Sequence, residues 1–379
     1  LRTRPSPSRI DFEISLSEKL AHIKQELREE YQSDHEFPWI IGFSGGKDST
    51  LLLFLVFEML MDLAPGDRKR DVHIVANDTL VESPVLAKYL NKTLTKLQTV
   101  IPTLRVPVTV KKTVPKLDQT FWVNLIGRGY PSPSRSFRWC TDRMKIQPTS
   151  EYIHEFVDRA GQVILLLGVR YDESASRAAS IRRYSNGKRL NAHNTLKGCM
   201  VYRPIVDLAT KEVWTTLLQS RLPWGGNVKE LANIYRNALG GDCPVVTDVS
   251  DAPSCGTSSS RLGCWTCTVV VKDRSMEAFI DAGVENLEPL LDFRDWLAEI
   301  REVEKYPEMR MALRRGGFTT YLSNGKLVPG PFTLAARREI LSRLLLTQEI
   351  VREVLISQAE IDLIHDIWSQ DASRELILE

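Results

Sequence analysis

The chain has 379 residues, 43% of them hydrophobic, and its 50 Lys and Arg nearly balance 48 Asp and Glu for a net charge of +2. This composition describes an ordinary globular protein with a large core, arranged as two domains or as one with an elaborate extension. It excludes a membrane-spanning helix, since the apolar run at residues 51–57 ends at Glu58, far short of the ~20 residues a span requires. The first eight residues lack the apolar stretch of a secretory signal, the absence of Met at position 1 suggests that a few residues are missing, and the expected location is the cytoplasm.

In chain order, residues 1–8 read as disordered, and residues 14–31 carry apolar side chains at helical spacing with charges between them, an amphipathic helix. A strand at 39–43 follows, then the string Ser44, Gly45, Gly46, Lys47, Asp48, Ser49, then a helix over 49–61. Further strands are expected at 71–76, 104–110 and 163–168, with a helix over 83–97. Alternating strands and helices imply a parallel sheet, whose ligands sit beyond the carboxyl ends of the strands near the switch point. Residues 77–79 and 168–170 are therefore expected beside the Gly-Gly turn. A short strand at 200–202 leads to a helix ending near Gln219, residues 222–262 are rich in Gly, Pro, Ser and Asp, and residues 275–379 read as strongly helical. Ser357 and Glu360 form a capping-box signature. The expected organisation is an N-terminal arm and helix at 1–38, a nucleotide domain at 39–222, a cysteine-rich segment at 223–274 and a helical region at 275–379.

The turn at 44–49 carries the clearest chemistry. Two adjacent glycines let consecutive N–H groups point into one concavity, and the following helix adds its positive end, so a polyphosphate fits there. It is not a Walker A loop: only three residues separate Gly42 from Gly46, and Asp48 rather than Ser or Thr follows Lys47. Asp78, at a strand end, suits a ribose hydroxyl or magnesium, or is an ordinary turn aspartate. Glu82 suits the start of the next helix. Arg170 and Arg177 lie two helical turns apart and suit a phosphate clamp, with a structural Arg170–Glu173 pair as the alternative.

Charge is uneven: residues 128–189 hold twelve Lys or Arg against six acids, a local +6, which leaves −4 for the remainder. A polyanionic partner or a solvated arginine-rich face explains it equally well. Cys243, Cys255, Cys264 and Cys267 cluster at metal-site spacing, open to a four-cysteine zinc site or an iron-sulfur cluster; a single Cys-x-x-Cys pair favours iron and sulfur. Disulfides are not expected without a secretion signal. Cys140, between Arg138 and Arg143, is the candidate sulfur-carrying nucleophile, because flanking guanidinium groups favour a thiolate. Cys199 reads as a small buried hydrophobe, or as a fourth ligand in place of Cys243.

The Ser44–Ser49 string resembles the SGGxDS loop of the PP-loop ATP pyrophosphatases, which cleave ATP between the α and β phosphates and adenylate a substrate. With Asp78-Thr79, Arg138-Trp139-Cys140-Thr141, Lys145-Ile146, Pro148, Gly168-Val169-Arg170, Glu173-Ser174, Arg177, Val206-Asp207-Leu208 and Val213-Trp214, about two thirds of the chain resembles the phosphoadenylyl-sulfate reductase branch of that superfamily. Cys255, Cys264, Trp265, Cys267 and the helical extension look most like the Dnd-type DNA phosphorothioation sulfurtransferases. The resemblance implies an α/β, Rossmann-like PP-loop domain, with ATP, Mg2+ and a 4Fe-4S cluster as cofactors. It implies Lys47, Asp48, Cys140, Arg170 and Arg177 as catalytic residues, and Ser44 to Ser49, Asp78, Gly168 and Arg170 around the nucleotide. The implied partners are DNA, a cysteine desulfurase and other phosphorothioation-system proteins. The reductases' C-terminal cysteine is missing, since Cys267 is the last, which disfavours sulfonucleotide reduction. Alternatives are a tRNA thiolase, a sulfonucleotide-reducing or sulfate-activating enzyme, and a non-catalytic nucleotide-binding adaptor.

Overall fold

The computed structural model describes residues 14–238 and 263–378, so the opening stretch, Cys243 and Cys255 lie outside the described residues. Helix α1 (Leu16–Tyr31) opens with a capping box between Ser15 and Glu18 and buries Ile23, Leu27 and Tyr31. Strand β1 (Trp39–Gly42) then leads into α2 (Lys47–Asp62), whose run from Ser49 to Phe57 is buried on every side. A helix apolar all round belongs inside a core, and α2 packs against α1 and against α7 (Thr210–Gln219).

Strands β2 (Val72–Asn77), β3 (Val108–Thr113), β4 (Val163–Leu167), β5 (Leu190–Ala192) and β6 (Cys199–Tyr202) complete a six-stranded sheet in the order β3-β2-β1-β4-β6-β5. All pairs are parallel except β5 with β6. Trp39 of β1 is in register with Val72 of β2 on one side and Ile164 of β4 on the other. The chain leaves β1 towards β2 and β3, then returns to the opposite flank at β4, so the switch point falls between β1 and β4. Loops after these two strands meet there. The expected α/β fold is present.

Helix α3 (Pro84–Leu104) runs further than the periodicity predicts and ends at Arg105, with φ of 51°. Leu104 therefore closes a helix, and the third strand starts four residues later than expected. A short helix α4 (Trp139–Thr141) and α5 (Gln147–Ala160) precede β4; α6 (Ala175–Tyr184) follows it, and α8 (Val228–Ala238) follows α7.

Beyond the sheet lie α9 (Arg274–Asp281), α10 (Glu288–Glu299), α11 (Leu334–Val351) and α12 (Gln358–Leu378). The Ser357–Glu360 box forms as expected: Glu360 N–H donates to Ser357 Oγ and its carboxylate accepts from Ser357 N–H at 2.9 Å. The region is not helical throughout. A hairpin of β7 (Thr320–Tyr321) and β8 (Leu327–Val328) interrupts it, because Gly316, Gly317, Gly325 and Pro329 punctuate residues 316–329 against helix. One apolar core joins Trp39, Phe57 and Ile74 of the sheet layer to Phe293, Leu344 and Ile364 of these helices. No helix among the described residues is long and apolar enough to cross a membrane.

Candidate active site

The Gly-Gly turn forms the anticipated cradle. Gly45 adopts φ of 73° and Gly46 is the N-cap of α2 at φ −77°, ψ 167°, so the positive-φ position falls on a residue without a Cβ penalty. Ser49 Oγ donates to Gly46 O at 3.0 Å and accepts from Ser44 N–H at 3.3 Å, which fixes the loop with its own side chains. Gly168, just past β4, approaches so closely that a Cβ there would stand 2.8 Å from Asp48 O. Sequence-distant loops thus converge at the switch point, and the close approach needs a glycine.

Asp48 sits between two cations, with Arg170 Nε at 2.6 Å and Lys47 Nζ at 3.0 Å. The Arg170 guanidinium is fully buried and also donates to Leu208 O at 2.8 Å and Thr210 Oγ1 at 3.1 Å. That burial corrects the phosphate-clamp expectation. Arg170 spends its donors on Asp48, Asp172, Leu208 and Thr210, whereas Arg177 is half-exposed and pairs with Glu173 at 3.2 Å. Nor is there an Arg170–Glu173 side-chain pair: the Glu173 carboxylate accepts from the Arg170 backbone N–H. Arg170 is a positioning residue for Asp48. Asp78 takes its turn role, accepting from Leu80 N–H and from Lys112 Nζ, each at 2.9 Å.

Tyr235, on α8, covers the cradle and had no signal in the sequence. Its hydroxyl accepts from Lys47 N–H at 3.2 Å, and Lys47 Nζ lies 5.4 Å from the ring centroid. Burial works against the Lys47 ammonium, but Tyr235 and Asp48 outweigh it and raise its pKa above the ordinary lysine value.

The thiols gather at the same edge of the sheet. Cys264 pairs as an isolated antiparallel bridge with Glu82, just beyond β2, and its Sγ lies 3.4 Å from Thr79 Oγ1. Glu82, read from sequence as a helix-start charge, instead meets Lys145 Nζ at 3.2 Å. Cys140 follows Trp139, which is pinned by stacking on Phe121 and by donating from Nε1 to Pro131 O at 3.0 Å. Thr268 Oγ1 donates to Pro133 O at 2.7 Å, tying the Cys-x-x-Cys turn to the approach to Cys140. Buried Arg294 of α10 donates to Cys267 O at 2.9 Å and Val271 O at 3.0 Å.

Burial, reinforced by neighbouring Cys267, raises the Cys140 thiol above the ordinary value. The expected thiolate activation by flanking arginines is therefore corrected. Arg138 points to solvent, and Arg143 turns to the Tyr130 hydroxyl at 3.1 Å. Cys264 is pushed up to about 12 by burial and Glu82, against Lys145. Burial works against the Lys145 ammonium too, but Cys264, Glu82 and Cys140 together raise its pKa.

Cys199 stands apart. It starts β6 in register with Val163, at the opposite edge of the sheet, and packs with Ile40, Ile153 and Val163, so the buried-hydrophobe reading holds and a fourth-ligand role does not. Among the described residues no three Cys, His, Asp or Glu groups converge tightly enough for a single metal ion. The Cys264–Cys267 turn with Cys140 beside it is a soft, all-thiol donor set, which suits iron and sulfur.

A parallel sheet with a Gly-Gly turn at its switch point and a helix N-terminus behind it defines an α/β domain of the PP-loop type, here with free thiols at the same edge. The phosphoadenosine phosphosulfate reductase domain family matches residues 38–270, more than half of the sequence, and the chain belongs to that family. A curated relative, the uncharacterized protein MJ0066 of Methanocaldococcus jannaschii, is 26% identical over 187 residues, 49% of this chain and 32% of the relative. The chain thus spans about a third of that relative's length. Among solved structures, the phosphoadenylyl-sulfate reductase of Candida auris in a phosphate complex is similar at 15% identity over 56% of this chain and 91% of that one, with a TM-score of 0.34. The U34-tRNA thiolase NcsA of Methanococcus maripaludis with its 4Fe-4S cluster is similar at 14% identity over 80% and 84% of the two chains, TM-score 0.35.

Proposed function

We propose that this protein is an ATP-dependent sulfurtransferase that adenylates a DNA backbone phosphate and prepares it for sulfur insertion. The observation that carries the reading is the placement of Cys140, Cys264 and Cys267 at the same carboxyl edge of the sheet as the phosphate loop. ATP activation and sulfur handling then share one mouth.

The loop N–H groups and Lys47 hold the triphosphate, and Tyr235 yields its hydrogen bond from Lys47 N–H to a phosphate oxygen. Magnesium would stabilise charge on the departing pyrophosphate; Asp48 and Asp78 already meet cations and would have to exchange them to hold it. A DNA phosphate oxygen attacks the α phosphorus, the α–β P–O bond breaks, and pyrophosphate leaves. A persulfide on Cys140, charged by a cysteine desulfurase, then attacks the DNA phosphorus with its terminal sulfur and AMP departs with the original oxygen. A thiol reductant attacks Cys140 Sγ, which frees the phosphorothioate and leaves a mixed disulfide for a second thiol to reduce. Cys264 and Cys267, with Cys243 and Cys255 from outside the described residues, would hold a 4Fe-4S cluster, which supplies redox-active iron and sulfide beside Cys140 when bound.

Labelled ATP should yield AMP and pyrophosphate, and release of ADP would sink the PP-loop chemistry. Nucleic acid from a deletion strain should lack phosphorothioate dinucleotides; loss of thiolated tRNA bases would assign the chain to tRNA instead. Anaerobically purified protein should contain iron and acid-labile sulfide, retained in Cys199→Ser and lost in Cys264→Ser.

A further inference from the structure

Residues 309–338 contain Arg310, Arg314, Arg315, Lys326, Arg337 and Arg338 and not one Asp or Glu. Within this acid-free stretch the β7–β8 hairpin displays apolar side chains to solvent: Phe318 is 59% exposed, Tyr321 61% and Leu322 52%. Arg315 and Arg337 meet Asp371 and Lys326 meets Glu304, which leaves Arg310, Arg314 and Arg338 without an ion pair among the described residues. Isolated exposed apolar residues are ordinary, whereas several on one small element beside such cations mark an interaction surface.

The display is built, not frayed. Arg314 N–H donates to Phe318 O at 2.8 Å and Gly317 N–H to Arg314 O at 2.9 Å, closing a tight turn with Gly317 at φ 79°. A Cβ on Gly316 would lie 2.6 Å from the Phe318 ring, so the glycine lets the ring lie across the turn. At the other end Leu322 N–H donates to Lys326 O at 2.8 Å.

Arg310 Nε donates to Gly330 O at 2.8 Å and Arg314 Nη1 to Pro329 O at 3.2 Å, and neither meets a carboxylate among the described residues. Burial, with Arg314 and Arg301 nearby, pushes Arg310 down to about 10. Glu302 works against that shift without forming an ion pair with Arg310, and Arg314 keeps a charge that a phosphate can balance.

The hairpin root is fastened to the segment that leads to Cys140. Phe332 N–H donates to Gly129 O at 2.7 Å, Arg315 Nη1 to Arg128 O at 2.7 Å, and Arg301 Nη1 to Pro133 O at 2.6 Å. From Pro133 the chain runs through exposed Arg135, Phe137 and Arg138, where Arg135 and Arg138 form no ion pair among the described residues.

We propose that the β7–β8 hairpin is a nucleic-acid clamp, in which unpaired bases stack on Phe318 and Tyr321 while Arg314 holds an adjacent phosphate and Arg310 braces the hairpin root through Gly330 O. Rings with adjacent cations are what a single strand needs, since every base has a π face and every linkage a charge. This rests on the reading above in taking a nucleic acid as substrate, and it names where the strand lies outside the basic segment 128–189.

Fluorescence anisotropy on the full chain, without ATP, tests it with a labelled 20-mer DNA strand, its duplex and the equivalent RNA strand. Single strands should bind more tightly than duplex. Phe318→Ala with Tyr321→Ala should weaken strand binding at least about tenfold, as stacking contributes about 1–3 kcal/mol per base. Arg314→Gln should reduce the slope of log affinity against log salt by about 0.7, the single-strand value per phosphate contact. Wild-type strand affinity in the double variant overturns the clamp, as does an equal loss of binding to heparin or to phosphatidylserine vesicles, which would make the hairpin a general polyanion surface. RNA bound more tightly than DNA through the same rings keeps the clamp and sinks the DNA reading.

Discussion

The phosphate loop and the thiol site share the carboxyl edge of one sheet but are built in opposite ways. The loop is a local object: Ser44, Gly45, Gly46 and Ser49 shape it through bonds spanning five residues or fewer. The thiol site is assembled from residues 79–82, 140–145, 264–268 and 294, and Thr79 and Cys264 are 185 residues apart. Each has a fully buried arginine behind it, with different partners. Arg170 balances the carboxylate of the loop itself, whereas Arg294 meets only its sequence neighbour Asp295, on the exposed side, and gives its other donors to backbone carbonyls of the Cys267–Val271 segment. Charge balance sets the first site, and chain path sets the second.

The largest effect should come from Arg170→Met, which removes the buried one of the two cations on Asp48, leaves Lys47 alone to balance it, and should cost about 3 kcal/mol in urea unfolding. Adding Asp48→Asn should recover much of that loss, and an additive double variant would break the charge-balance account. Lys47→Ala should come next, lowering AMP and pyrophosphate formation about 10²–10³-fold without loss of iron; residual activity near wild type would leave the loop as a mere binding element. Arg294→Met should cost about 1–3 kcal/mol, because water reaches the exposed Val271 end of the segment. Its signature should be iron loss with ATP cleavage retained, and the reverse split would erase the contrast between the two sites.

The smallest effect is confined to alkaline pH. Tyr89, buried against the loop near Gly45, is pushed up to about 12 by burial. Its raised folded-state value means that its contribution is complete below the unfolded value of about 10 and is lost as pH rises through about 12. Tyr31, donating to Arg70 O at 2.8 Å and likewise pushed up to about 12, behaves the same way. Tyr89→Phe should flatten the fall in stability across that window, as followed by urea midpoints. An unchanged slope would place the alkaline loss elsewhere.

How much was legible in the sequence follows the same division. The five parallel strands, the glycine turn, the capping box and Gly168 beside the loop were readable because periodicity, glycine placement and caps are local signals, whereas the three-residue antiparallel β5 was too short to show a period. The end of α3 was misplaced because Leu104 continues an apolar pattern that suits helix or strand until Arg105 turns left-handed. The hairpin was lost inside a stretch read as helical, although its glycines were the available signal. Arg170 looked like a phosphate ligand because nothing in sequence reports that Asp48, 122 residues earlier, takes its Nε. Tyr235 lies 188 residues from Lys47 and belongs to no motif.

The amino-acid order by itself therefore determined an α/β fold with an anion cradle at the start of α2, since a positive-φ glycine and a helix N-terminus act over a few residues. Tertiary structure alone decided which charges are spent and which thiols meet. Burial and ion pairing depend on what the sheet brings together, and this is how Cys199 came to the far edge while Cys140 and Cys264 came to lie around Lys145.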